Sequence, residues 1–207
     1  EEVADEFRDI YAIVKDTKPY VGLKVGILNA WGALRTWQTH MVAHALHYKQ
    51  IYSYLGILEA LSGAAVEVVF LSFDQVIADG VPADVDVLIN AGDAGTAFSG
   101  GQHWARPELL SAIRRFVYQG GGLVGVGEPS AHLQNGRFFQ LAEILGVDKE
   151  LGFSLSTDKY FTQARDSHFI TADLEAGQVP DFGESMHNLY ALSEETEILE
   201  YSNGEVH

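Results

Sequence analysis

The chain has 207 residues with 47% apolar content and no cysteine, and its 29 acidic residues outnumber 13 basic ones for a formal net charge of −16. That length suits one compact domain with a sizeable core; the charge repels polyanions, so no nucleic-acid partner is expected, and the missing thiols remove disulfides, thiolate zinc sites and cysteine nucleophiles. No apolar run reaches the roughly 20 residues of a membrane-spanning helix, and the acidic start EEVADEFRDI does not fit a signal peptide, so no membrane partner and a cytoplasmic location are expected.

Residues 1–18 read as an amphipathic helix, because Val3, Phe7, Ile10, Tyr11 and Val14 recur at three- and four-residue steps. Such a helix needs a partner, and the expectation is a connector from an absent upstream domain, with residues 19–207 forming one α/β domain. LKVGILNAW (23–31) has the β-branched, apolar character of a buried parallel strand. The polar-aromatic stretch GALRTWQTHMVAHALHYKQI follows it, then a helix around residues 54–61 and a second strand, VEVVFLSF (66–73).

The rhythm continues with a third strand, DVDVLINAG (84–92), a helix over 106–119 opened by Pro107, and a fourth strand, GLVGVG (122–127). The apolar stripe Phe138, Leu141, Ile144 and Leu145 predicts a further helix over 136–147. Strands alternating with helices imply a doubly wound, mainly parallel α/β sheet of about five strands, a flavodoxin-like three-layer sandwich with strands one, three and four central. Beyond Asp148 the pattern loosens; HNLYALS and TEILEYS predict two more strands, antiparallel at an edge, and a domain truncated at its C-terminal end.

The stretch QGGGLVGVGEPSA (119–131) invites three chemical readings. Gly120–Gly122 fit a helix C-cap and turn, while Gly125 and Gly127 leave room for close backbone approach. A dinucleotide fingerprint would need a glycine where Ser130 stands, so none is expected. A strand-turn-helix nucleophile elbow puts Glu128 near the nucleophile position, where it needs a second group such as His132 or His103 to act as a base; otherwise it is a turn residue. His40, His44 and His47 share a helical face, but no nearby carboxylate completes a metal set, and they read as a contact surface.

Ligands of open α/β sheets sit beyond the C-terminal strand ends. That rim collects Asn29, Trp31, Arg35 and Trp37 after strand one, Asn90, Asp93, Thr96 and His103 after strand three, and Glu128 and Ser130 after strand four. Two tryptophans and an arginine suit sugar stacking and partner docking equally. The binding or interface candidates are Trp31, Arg35, Trp37, His44, Asp93, His103 and Glu128, with no metal and no cofactor expected.

KVGILNAWGALRTW, VEVVFLSFD, DVLINAGDAGTAFSGGQHW, IRRFVYQGGGLVGVGEPSA, FFQLAEILGVDKELG and HFITAD together resemble the central domain of 1,3-β-galactosyl-N-acetylhexosamine phosphorylases, over roughly residues 20–192. The resemblance implies a fold similar to class I glutamine amidotransferases and to the β-galactosidase trimerisation domain. It also implies an upstream TIM barrel carrying the general acid, downstream β-domains and a homo-oligomer. It transfers no catalytic residue to this stretch, where Glu128 stands near the elbow instead of a cysteine, and so implies a scaffold. A sugar-binding module on the rim and an autonomous hydrolase or transferase using Glu128 are the alternatives.

Overall fold

The computed structural model describes residues 2–17, 22–30, 49–150, 168–173, 189–197, 201–202 and 205–206. Helix α1 (Glu2–Val14) comes first, followed by β1 (Leu23–Asn29), α2 (Lys49–Ser62), β2 (Val66–Ser72), α3 (Phe73–Asp79), β3 (Val87–Gly92), α4 (Pro107–Tyr118) and β4 (Gly122–Gly127). The four strands form one parallel sheet in the order β2-β1-β3-β4. From β1 the chain steps one way to β2, then turns back through β3 to β4. Right-handed crossovers therefore place α2 on one face and α3 and α4 on the other.

The core follows that division. Val25, Ile27 and Ile89 are buried toward Tyr54, Ile57, Leu58 and Leu61 of α2. Leu28, Leu71 and Leu88 are buried with Phe73 and Val76 of α3 and Leu109, Ile113 and Phe116 of α4. Each such side chain removed from water stabilises the fold by roughly 1.5–3 kcal/mol. The chain is thus a doubly wound, mainly parallel α/β domain with helices on both faces of its sheet.

Local signals set the element ends. Ser72 and Gln75 form a reciprocal capping box at the start of α3, with the Ser72 hydroxyl accepting the Gln75 N–H at 3.1 Å and the Gln75 side-chain oxygen accepting the Ser72 N–H at 3.0 Å. Pro107 opens α4 at its first turn. Gly120 closes that helix at φ +100°, a left-handed conformation open to glycine without Cβ strain.

Several expectations are corrected. The third strand begins at Val87, after Asp84–Asp86. Among the described residues the sheet has four strands, with β1 and β3 inside it and β4 at one end. The helix expected over 136–147 is a hairpin, β5 (Ala131–Gln134) and β6 (Arg137–Phe139), then one turn, α5 (Ala142–Leu145), and strand β7 (Val147–Lys149). Asn135 and Gly136 both take positive φ, 54° and 77°, as an Asn-Gly hairpin turn requires. HNLYALS contains β8 (Leu189–Ala191), antiparallel to β7 and not to the main sheet. TEILEYS ends in β9 (Tyr201–Ser202), which pairs with β10 (Glu205–Val206). The β5–β8 unit has its own small core of Ala131, Phe139 and Ala142 under Phe138, Leu145, Val147 and Leu189.

Candidate functional site

Trp31, Arg35, Trp37 and His44, with His40 and His47, lie outside the described residues. Of the remaining rim residues, Asn90, Thr96, His103 and Ser130 are buried, as is Ser99 beside them, while Asn29, Asp93 and Glu128 are partly open.

The buried group forms the frame of the rim. Asn90, 1% exposed at the β3 core position, donates through Nδ2 to the Ser99 carbonyl at 3.1 Å and accepts the Ser130 N–H on Oδ1 at 2.7 Å. It joins the loop after β3 to the loop after β4. Thr96 Oγ1 and Ser99 Oγ both donate to the Asp93 carbonyl, and the Trp104 indole N–H donates to the Ser99 carbonyl. Asn90, Thr96, Ser99 and the Trp104 indole thereby offset the desolvation cost of their polar groups. Ser130 takes φ +53°, and its hydroxyl accepts the Leu141 N–H at 3.2 Å.

Glu128 follows Gly127, whose φ is +74°. The left-handed residues of the turn are thus Gly127 and Ser130, not Glu128, and the elbow expectation for Glu128 is corrected. Its backbone N–H donates to the Gly92 carbonyl at 3.0 Å. Its carboxylate accepts the Ala94 N–H at 2.8 Å on one oxygen and Lys149 Nζ at 2.6 Å on the other. Lys149 in turn lies over the Phe138 ring, 4.9 Å from its centroid. The titratable group bonded to Glu128 is therefore Lys149 of β7, in place of His132 or His103. Burial, and then the Glu128 carboxylate, push the Asp93 carboxyl above its usual range, while Lys149 opposes them.

His103 is not presented on an open rim. It sits in a 3-10 turn (Gly101–Ala105), stacks on Phe73 with ring centroids 5.2 Å apart, and brings Nδ1 to 3.9 Å from an Asp74 carboxylate oxygen. Its Nε2 is buried and has no hydrogen-bond partner among the described residues. Burial lowers its pKa, with Asp74 opposing and Arg106 adding to the shift. A groove of about 460 Å³ is lined by Val76, Asp79 and Gly80 at the end of α3 and Pro107, Ser111 and Arg115 of α4; none of the described rim candidates lines it. Among the described residues no group of three or more His, Asp or Glu side chains is arranged to hold a metal, and no helix is long and apolar enough to cross a membrane.

Sequence reasoning missed Lys149 and Asp148. Buried Asp148 accepts the backbone N–H groups of Phe138, Phe139 and Lys149 on one oxygen, tying β6 to β7. The dipeptide follows the stretch expected to be helical, and no motif marks it. Chemically, both Glu128 oxygens are engaged and the Ser130 hydroxyl is buried. The arrangement clamps the loops after β3 and β4 to β7.

Residues 24–207 match the lacto-N-biose phosphorylase central domain family. A 1,3-β-galactosyl-N-acetylhexosamine phosphorylase of Lachnoclostridium phytofermentans is 54% identical over 193 residues, covering 93% of this chain and 26% of that protein. One from Bifidobacterium longum subsp. longum is 44% identical, covering 99% and 31%. A D-galactosyl-β-1→4-L-rhamnose phosphorylase of L. phytofermentans is 33% identical, covering 99% and 27%. The chain therefore spans between a quarter and a third of the length of these curated relatives. It belongs to the lacto-N-biose phosphorylase central domain family.

Proposed function

We propose that this chain is the non-catalytic central domain of a disaccharide phosphorylase, supporting oligomerisation or closing an active site built on another domain. The parent enzyme converts galactosyl-β-1,3-N-acetylhexosamine and phosphate into galactose 1-phosphate and N-acetylhexosamine. In that reaction a phosphate oxygen bonds to the galactosyl anomeric carbon as the glycosidic bond breaks, and a general acid gives its proton to the departing hexosamine oxygen.

The observation that carries the reading is the engagement of Glu128: a carboxylate bonded to Lys149 and to the Ala94 N–H is neither a free nucleophile nor positioned as an acid. Among the described residues, the paired arginines support it. A phosphate clamp needs guanidinium groups converging on one place, whereas Arg8 pairs with Asp5, Arg106 with Glu108, and Arg114 and Arg137 with Glu143.

The test is to incubate the purified 207-residue chain with galactosyl-β-1,3-N-acetylglucosamine and phosphate. No galactose 1-phosphate is expected above the level of a Glu128→Ala control. Release at a rate near that of the full-length enzyme, abolished in the control, would overturn the reading and restore Glu128 as a reacting group.

A further inference from the structure

Four residues of the α1 stripe, Phe7, Ile10, Tyr11 and Val14, are 69%, 50%, 66% and 49% exposed. Their i, i+3, i+4, i+7 spacing lines them along one side of the helix, and none of the described elements covers them. A 13-residue helix is marginal in water by itself, and most helices of that length hold their shape by packing an apolar face. The flanks differ in charge: Arg8 and Lys15 border the Tyr11 side, Glu6 the Ile10 side, and Asp5 and Asp9 lie opposite the stripe.

Two facts bear on what covers it. The central-domain match begins at residue 24, so α1 lies outside that domain on its N-terminal side. A second 1,3-β-galactosyl-N-acetylhexosamine phosphorylase of L. phytofermentans nevertheless aligns over all 207 residues at 48% identity, and the chain makes up 28% of it. The α1 segment is thus shared with a polypeptide more than three times as long, at a position before a domain that is central.

We propose that the apolar stripe of α1 docks on the part of the parent polypeptide that precedes the central domain. The docking surface is an apolar groove with an acidic rim beside Arg8 and Lys15 and a basic rim beside Glu6. α1 is then an anchor that fixes where the central domain sits, and not a loose tether. This rests on the chain being the central domain of a longer enzyme; the experiment below reads docking and not turnover, so its failure leaves the scaffold reading standing.

Hydrogen exchange is measured on the full-length polypeptide and on the 207-residue chain. The amides of residues 6–14 are expected to exchange at least about 100-fold more slowly in the full-length protein. Ile10→Asp in the full-length protein should return them to the fast rate while β1 and β3 stay protected, and Asp9→Lys on the opposite side should leave them slow. Equal rates in the two proteins, or no effect of Ile10→Asp, would overturn the proposal. Protection in the 207-residue chain that grows with its concentration would also overturn it, by assigning the stripe to a second copy.

Discussion

Glu128 and Lys149 meet at 2.6 Å with side chains about one-fifth exposed, and this contact fastens the end of β4 to β7. Because Glu128 also accepts the Ala94 N–H, one side chain couples the main sheet, the loop after β3 and the satellite hairpin. Glu128→Ala leaves a half-sheltered ammonium without its counter-charge and a backbone donor without its acceptor. We expect a loss of about 1–3 kcal/mol, read by urea unfolding, and a smaller loss for Glu128→Gln, which keeps an acceptor for Ala94. In the full-length enzyme, turnover by the folded Glu128→Gln variant should stay within about three-fold of wild type; a larger fall in kcat alone would show that the clamp acts on the reaction.

Asn90 makes a stronger case for architecture in place of chemistry. It is fully buried and bridges the loops after β3 and β4 through Ser99 and Ser130. Asn90→Ala leaves the buried Ser130 N–H without its acceptor, while the Ser99 carbonyl keeps the Trp104 indole N–H, at a cost of about 1–3 kcal/mol. Asn90→Asp should be at least as damaging, because an ionised carboxylate in that place faces the Ser99 carbonyl with no donor. A melting temperature equal to wild type in Asn90→Ala would show that the bridge is dispensable.

The doubly wound sheet was legible because β1 and β3 are buried on both faces, and a strand buried twice reads as an unbroken apolar run. Gly120 and Pro107 marked the ends of α4 for local reasons that survive folding. Two local signals were present but outweighed. Asn135–Gly136 is a hairpin turn, yet the stripe Phe138, Leu141, Ile144 and Leu145 fits a helix equally well, since a short apolar set satisfies both periods. The serine and glutamine of SFDQ form a capping box within what was read as the end of a strand.

The rim was less legible. His103 follows β3 in sequence, but Gly100 turns the chain at φ +106° and the Trp104 side chain enters the core, carrying His103 down onto Phe73. No residue type announces that turn of direction. The partner of Glu128 was missed because the contact joins residues 21 apart through a hairpin that sequence periodicity did not predict.

Gly127 and Gly80 separate two costs of replacing a glycine. Both have positive φ, +74° and +82°, but a Cβ at Gly80 meets open space, while one at Gly127 comes within 3.2 Å of the Gly92 carbonyl and of Ser53 Oγ. Gly80→Ala should cost roughly 1–3 kcal/mol, because φ 82° with ψ −176° lies in a region nearly confined to glycine. Gly127→Val should cost the strain of its own positive φ plus about 1–3 kcal/mol for overpacking, because Gly92 is fixed in the neighbouring strand. Equal unfolding midpoints for the two variants would show that the contact at Gly127 relaxes freely.

The final prediction concerns acid. His103 is held below its ordinary pKa chiefly by burial, so the unfolded chain binds its proton more readily than the folded one. Its contribution to stability is present above about pH 6.5 and is lost as pH falls from there through the depressed folded pKa. Asp93 has the opposite sign. Burial and Glu128 raise its pKa, so it favours the folded state below about pH 4 and that advantage fades as pH rises through the raised value. Unfolding free energies measured from about pH 7.5 down to about pH 5 should therefore fall in wild type and fall less steeply in His103→Gln, which cannot titrate. Asp93→Asn should instead raise stability at neutral pH, where the native carboxylate is desolvated beside Glu128. A His103→Gln profile parallel to wild type over this range would mean that His103 is hydrated in solution, and that its unpartnered Nε2 meets water instead of core.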